Sequence, residues 1–270
     1  MAPRHLPGGP AMNDEEPELT SEIEAASDIP EVAAACRRAA QALGFEHFIF
    51  GFRTPISLTH PCQFILSGYP RAWREHYDRN SYLAIDPVIM RALGTILPFD
   101  WEELDKSDPR VAQLFREAAE HGLRYGFSVP VHGGHGEGGV LSLARPQPPL
   151  PQALGERQRL FQQAQWFAAV LQTRLRALVF EETAAAPARP LTKREQDCLR
   201  LAAEGHSAQA IAQMLRIAER TVVFHLNHAE EKLGARRRQQ AVARGVALGQ
   251  IEPACYPARF SESVRLVQLN

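Results

Sequence analysis

Residues 207–233 read SAQAIAQMLRIAERTVVFHLNHAEEKL, and this stretch decides how the chain is organised. Apolar Ile211, Leu215, Ile217 and Val222, with small Ala212 among them, repeat at helical spacing. The break Arg216-Ile217-Ala218 divides them into two helical patterns. That is the signature of a helix-turn-helix. Ser207 is placed to cap the opening amides of the first helix, and the second starts between Ala218 and Arg220. On the second helix Arg220, Val223, Phe224 and Asn227 share one face, at the spacing that carries side chains to base edges in a DNA major groove.

Working outward, Leu191, Thr192, Arg194, Glu195, Leu199, Gly205, Ile211, Ala212, Leu215, Thr221, Val222, His225, Lys232, Leu233, Arg238 and Ala241 are landmarks at fixed spacing. From Leu191 to Ile251 the sequence resembles the DNA-binding domain of LuxR-type transcription regulators. The resemblance adds Thr221 and Lys232 to the expected DNA-facing residues and implies double-stranded DNA as partner. Two positions depart from it. Ala218 stands where the family usually has a capping Ser, a loss on the order of 1 kcal/mol unless Glu219 or Thr221 compensates. Glu230 and Glu231 replace a more usual basic pair and weaken the local phosphate field. Residues 191–252 carry ten Lys and Arg against seven Asp and Glu, within a chain of net charge -1. A mildly basic module behind an acidic one suits affinity gained by counterion release. Arg236 and Arg237 are the expected phosphate contacts, with a solvated helix start as the equal alternative; Arg238 serves equally well to tie the last helix to the fold.

At 270 residues and 45% hydrophobic content the chain is long enough for two cores. No apolar run approaches the length of a membrane span. The opening MAPRHLPGGPAMNDEEPE lacks the apolar centre of a secretory signal and reads as a disordered leader. Cys36, Cys62, Cys198 and Cys255 show no paired spacing, so neither a disulfide framework nor a zinc site is indicated. Cytoplasmic residence is the expectation.

In chain order, Pro30 to Leu43 reads as a helix ended by Gly44, Glu46 to Phe52 and Gln63 to Ser67 as strands, and Arg71 to Asp78 and Val88 to Leu93 as short helices. Asp108 to His121 is an amphipathic helix stopped by Gly122. Phe127 to Val131 and Gly139 to Ala144 are strands joined by the Gly-rich HGGHGEG. Gly155 to Phe180 is the longest helix, with Leu160, Ala164, Phe167, Leu171, Leu175 and Leu178 on one side. Trp166 and Val170 widen that stripe enough to cover a sheet and still meet a partner helix. Glu181 to Pro190 changes to Ala, Pro and polar residues and reads as a linker. The expected organisation is a leader at 1–20, a sensor domain at 21–180, a linker at 181–190, a helix-turn-helix domain at 191–252 and an extension of no assigned role at 253–270. The fold class is α+β: an α-β-α sensor domain with an antiparallel sheet, followed by an all-α domain. Regular βα repeats are missing, which argues against a phosphoreceiver.

One constellation in the first domain carries chemistry. Tyr69, Trp73, Tyr77, Asp86, Pro87 and Trp101 stand at the relative spacing of the signal-binding domain of LuxR-type quorum-sensing receptors, and with both modules the resemblance spans roughly Pro30 to Ile251. It implies an N-acyl homoserine lactone as ligand and no cofactor. Such a molecule is neutral, with a ring carbonyl, an amide N–H, an acyl carbonyl and an apolar tail. Each polar group buried without a partner costs about 1–3 kcal/mol, so the pocket must match all three. By the resemblance Trp73 donates to the lactone carbonyl, Asp86 accepts from the amide N–H, and Tyr69 and Ser142 donate to the acyl carbonyl. Tyr77 and Trp101 wall the lactone and the start of the tail. Ile65, Val88, Ile89, Leu123 and Val140 line the tail, and Arg74 reaches a 3-oxo group through water. Ser128 is a weaker polar candidate. Taken singly, Trp73 and Trp101 read as core, Asp86 before Pro87 as a helix N-cap, and Ser142 as a small residue bonded to backbone.

No catalytic or metal set emerges. Ser142 lies in LSL and not in a Gly-x-Ser-x-Gly elbow, and His132 and His135 flank a loop without the Lys of a P-loop or a third ligand, which reads as a hairpin turn. The expectation is a regulator and not an enzyme. The resemblance further implies a homodimer on a palindromic element, with RNA polymerase as a further partner. A non-lactone signal and ligand-independent regulation stay open as alternatives on the same scaffold.

Overall fold

The computed structural model describes residues 18–54, 62–183 and 190–251. Contacts divide the chain into two compact units. In the first, strands β1 (His47–Thr54), β2 (Cys62–Ser67), β3 (Phe99–Asp100), β4 (Tyr125–His132) and β5 (Gly138–Arg145) form one sheet in the order β2-β1-β5-β4-β3. The pairings β1–β5, β5–β4 and β4–β3 are antiparallel, as the α+β reading requires.

The two-residue alternation of the strands sorts their side chains between two apolar clusters. Phe48, Phe50, Phe52, Phe127, Val129, Leu141 and Leu143 enter one cluster with helices α1 (Glu18–Ala25), α2 (Ile29–Ala42) and α6 (Leu154–Thr183). Val140 and Ala144 enter the other with α3 (Arg71–Arg79), α4 (Pro87–Gly94) and α5 (Pro109–Glu120). The sheet therefore lies between two helical layers. Helices α2, α4 and α5 share one start: Asp28, Asp86 and Asp108 cap them through side-chain oxygens, each with Pro in the first turn. The stops after α2 and α5 use Gly44 and Gly122 at φ 81 and 83.

Three differences from the sequence reading have physical reasons. Helix α1 begins at Glu18, inside the expected leader, because Thr20, Ile23 and Ala26 form a buried edge on an otherwise acidic segment. Strand β3 has only two residues and leaves no alternation to detect. Helix α6 runs to Thr183, three residues into the expected linker. The rest of the leader and linker, and the 253–270 extension, lie outside the described residues. On α6, Ala164, Phe167, Leu171 and Leu175 are buried and Val170 joins them, whereas Trp166 is 57% exposed and donates its indole N–H to Thr20 Oγ1 at 3.1 Å.

The second unit is helical throughout its described residues: α7 (Lys193–Ala203), α8 (Ala208–Leu215), α9 (Glu219–Lys232) and α10 (Arg238–Ala247). Leu199, Ile211, Val222, Leu226, Leu233 and Ile251 fill its core. Thr192 and Glu195 form a reciprocal capping box at the start of α7. No helix among the described residues is long and apolar enough to cross a membrane.

Candidate functional site

Helix α3 presents Trp73 and Tyr77, one turn apart, on its inner side, and both are buried. Facing them, Asp86 uses one oxygen as the N-cap of α4, accepting from the Val88 N–H at 2.9 Å. Its other oxygen accepts from the Tyr77 hydroxyl at 2.9 Å. Asp86 is therefore the N-cap of α4 and a partner of Tyr77 at once. A carboxylate has about four lone-pair sites, so after these two bonds each oxygen can still accept another donor. Burial raises the Asp86 carboxyl above its ordinary value, with the Val88 N–H and the Tyr77 hydroxyl pulling the other way. Burial, and then the negative charge of Asp86, push the Tyr69 and Tyr77 phenols far above the usual range, so both keep their protons.

The sheet supplies the opposite wall. Register sets Phe99 beside Ser128 and Ser128 beside Ser142. Trp101 donates its indole N–H to Ser128 Oγ at 2.9 Å, and Ser128 Oγ lies 2.8 Å from Ser142 Oγ. An indole can only donate, so Ser128 Oγ is the acceptor of the first bond, and in the second either serine hydroxyl can donate. The Tyr69 phenol stands beside Ser142 and, keeping its proton, can donate. The Trp73 indole N–H has no acceptor among the described residues; its ring is held by Tyr77, Tyr82 and His121 at centroid distances of 6.0, 6.2 and 5.6 Å. Arg74 pairs with Asp78 at 3.1 Å and lies over the Tyr77 ring at 5.2 Å, at the edge of the site.

These groups enclose a cavity of about 160 Å³. All eleven residues expected to meet a ligand line it: Ile65, Tyr69, Trp73, Arg74, Tyr77, Asp86, Val88, Trp101, Leu123, Val140 and Ser142, together with Ile89. Ile49, Gly51, Leu83, Leu114, Phe115 and Ala118 also line it and were not anticipated. Leu114 and Ala118 lie one turn apart on the buried side of α5, so its amphipathic pattern held a signal for them. Ser128 sits behind the wall, as the link between Trp101 and Ser142. His132 is committed to the Thr95 carbonyl at 2.9 Å, and among the described residues no cluster of three His, Cys, Asp or Glu could hold a metal.

In the second unit, Ser207 caps α8 by accepting from the Ala210 N–H. Arg216, at φ 53, makes the turn. Ala218 caps α9 with no side-chain hydrogen bond, so neither Glu219 nor Thr221 replaces the missing hydroxyl. Arg220, Val223, Phe224 and Asn227 are exposed on α9, and Arg236 and Arg237 are exposed before α10. Thr221 is half-buried at the helix start. Lys232 is a correction: its ammonium turns inward to the buried Glu195 carboxylate at 2.7 Å, so it braces α9 against α7 and is not available to a phosphate. Arg238 faces Glu230 at 3.6 Å, the fold-tying role, and offsets part of that acidic charge.

Residues 28–175 match the family model described as autoinducer binding domain, and residues 189–244 the one described as bacterial regulatory proteins, luxR family. The chain is 33% identical to the transcriptional activator protein VanR of Vibrio anguillarum, over 78% of this chain and 87% of that protein. The structure is similar to Escherichia coli SdiA, with a TM-score of 0.71 and 27% identity over 88% of this chain and 98% of that one. SdiA in complex with octanoyl-rac-glycerol matches with the same TM-score of 0.71, at 25% identity over 88% and 96% of the two chains. The N-acylhomoserine lactone dependent LuxR family transcription factor CepR2 of Burkholderia cenocepacia matches at a TM-score of 0.50 and 28% identity, over 63% of this chain and 96% of that one. A sheet-backed cavity followed by a helix-turn-helix, together with these matches, places the chain in the luxR family of bacterial regulatory proteins: it is a transcriptional regulator with an autoinducer-binding domain and a DNA-binding domain, and not an enzyme.

Proposed function

We propose that the chain is a cytoplasmic receptor for an N-acyl homoserine lactone, which it holds between α3–α5 and the sheet, and that occupancy governs its action as a homodimer on a palindromic promoter element. The observation that carries this reading is the convergence of complementary polar groups on one apolar cavity. The Trp73 N–H is a donor without an acceptor among the described residues, Asp86 has acceptor capacity left over, and the Tyr69 phenol keeps its proton to donate. Lactone carbonyl, amide N–H and acyl carbonyl require donor, acceptor and donor in that order. Arg74, half-exposed at the edge, is suited to a 3-oxo group through water.

The sensor unit would extend from α1 through α6 and the DNA-binding unit from Leu191 to Ile251. Burying the ligand satisfies groups that are poorly matched in the empty cavity. A hundredfold excess over Kd then stabilises the sensor by about 2.7 kcal/mol. Competent dimer accumulates accordingly, and two α9 helices read half-sites about one helical turn apart. Arg220, Val223, Phe224 and Asn227 face the bases, and Arg236 and Arg237 the phosphates. RNA polymerase is the natural partner at the promoter.

A promoter-reporter assay of full-length protein against a lactone panel tests the reading. Trp73→Phe should shift the response to at least tenfold higher ligand while the protein stays soluble. An unshifted response would remove the indole from the site and the lactone assignment with it. A second reading, a neutral acyl glycerol, is supported by the likeness to SdiA in complex with octanoyl-rac-glycerol. It offers hydroxyls where the lactone offers an amide, so competition between the two probes on the purified chain separates them.

A further inference from the structure

A second cavity adjoins the head cavity. The two, about 160 and 300 Å³, share Gly51, Ile65, Leu83, Ile89 and Val140 in their walls. The outer chamber is lined also by Phe64, Ala92, Leu93, Arg53, Gln63 and His132. Gly51 stands at the junction, mid-strand in β1 and opposite Val140.

Nothing in the backbone calls for glycine at this position. Gly51 is not among the glycines with positive φ, and an ideal Cβ built on it meets no heavy atom within 4 Å. Its neighbour across the ladder differs: a Cβ on Gly139 would come within 2.7 Å of the Gly51 carbonyl oxygen, so Gly139 is fixed by close packing. Glycine inside a strand costs stability through chain entropy and lost packing. Here it leaves open the space that a side chain would occupy between the two chambers. Ile49, two residues earlier on the same strand and also on the cavity wall, keeps a full side chain.

We propose that Gly51 sets the acyl-length specificity of the receptor, by leaving a passage through which a long saturated tail passes from the head cavity into the outer chamber. The inference rests on the lactone reading of the head cavity and adds a ligand class to it, the long-chain acyl homoserine lactones. Each methylene moved from water into the outer chamber should tighten binding about fourfold.

The experiment measures equilibrium binding of butanoyl- and dodecanoyl-homoserine lactone to the full-length chain, as wild type, Gly51→Ala and Gly51→Leu. Wild type should prefer the dodecanoyl ligand by at least about a hundredfold. Gly51→Leu should weaken dodecanoyl binding at least about tenfold more than it weakens butanoyl binding, with Gly51→Ala between. A wild-type circular dichroism spectrum is the control for folding, and if the Leu variant does not fold, the graded loss in the Ala variant decides. A wild-type preference for butanoyl, or equal losses for both ligands, overturns the role of Gly51 and leaves the lactone reading intact. Failure of wild type to bind either lactone overturns the lactone reading itself.

Discussion

Asp86→Asn separates the two duties of Asp86, because asparagine caps a helix about as well as aspartate and differs little in shape. One carboxylate oxygen serves the Val88 N–H and the other the Tyr77 hydroxyl, each at 2.9 Å. The variant keeps one carbonyl oxygen for the cap. Its amide NH2 then faces the Tyr77 oxygen, a pair the phenol can accept by turning its proton away. The buried charge is gone, so the empty variant should be as stable as wild type or more so.

Ligand binding should move the other way. The amide N–H of a lactone would meet an NH2 group in place of a carboxylate, losing a charge-assisted hydrogen bond worth about 1.5–3 kcal/mol. That weakens Kd roughly 13- to 160-fold. At a ligand concentration that gives wild type about 2.7 kcal/mol of stabilisation, the variant would gain only about 1.3 to 0.3 kcal/mol. Urea unfolding of the sensor unit, with and without dodecanoyl-homoserine lactone, reads both effects in one experiment. A variant that is destabilised when empty yet stabilised by ligand as much as wild type would refute the assignment of Asp86 as acceptor.

Three further outcomes follow from the same geometry. Because burial raises the Asp86 carboxyl above its ordinary 3.8, the folded empty sensor holds that proton more tightly than the unfolded chain; this contribution to stability is full below 3.8 and is lost as pH rises through the folded value. A ligand N–H favours the ionised form, so calorimetry should show affinity rising with pH through that window, with proton release on binding, and a flat profile would remove Asp86 from the contact. Ser128→Ala removes both the acceptor of the buried Trp101 N–H and the partner of Ser142 and should cost about 1–3 kcal/mol of sensor stability by denaturant titration, more than Ser142→Ala, which loses only the contact between the two serines; a loss for Ser142→Ala equal to or larger than that for Ser128→Ala would deny Ser128 its place between the two. Ala218→Ser supplies the oxygen that the start of α9 lacks and should raise the melting point of the DNA-binding unit by the equivalent of about 1 kcal/mol, while an unchanged melting point would mean that water already serves those amides.

What the sequence makes legible depends on whether a side chain announces its own job. Ser207, Thr192 and the three Asp caps are local devices, complete within four residues, so their helices could be read from the string. The polar residues of the cavity are singled out jointly, because their spacing resembles that of the signal-binding domain, and the structure brings Tyr69, Trp73, Asp86 and Ser142 to one cavity. Lys232 could not be read this way. A lysine near the end of a recognition helix has the same sequence appearance whether it meets a phosphate or a buried carboxylate, and only the packing of α9 on α7 brings Glu195 within 2.7 Å. Ser128 and Gly51 show the same limit from the other side. Ser128 acts through residues 27 positions before it and 14 after it, which strand register alone brings together. Gly51 matters for what it lacks, and an absent side chain has meaning only once the space beside it is known to be empty. If Gly51 has the role proposed for it, tail length is selected between β1 and α4, where a single substitution would change it without touching a polar group of the head cavity.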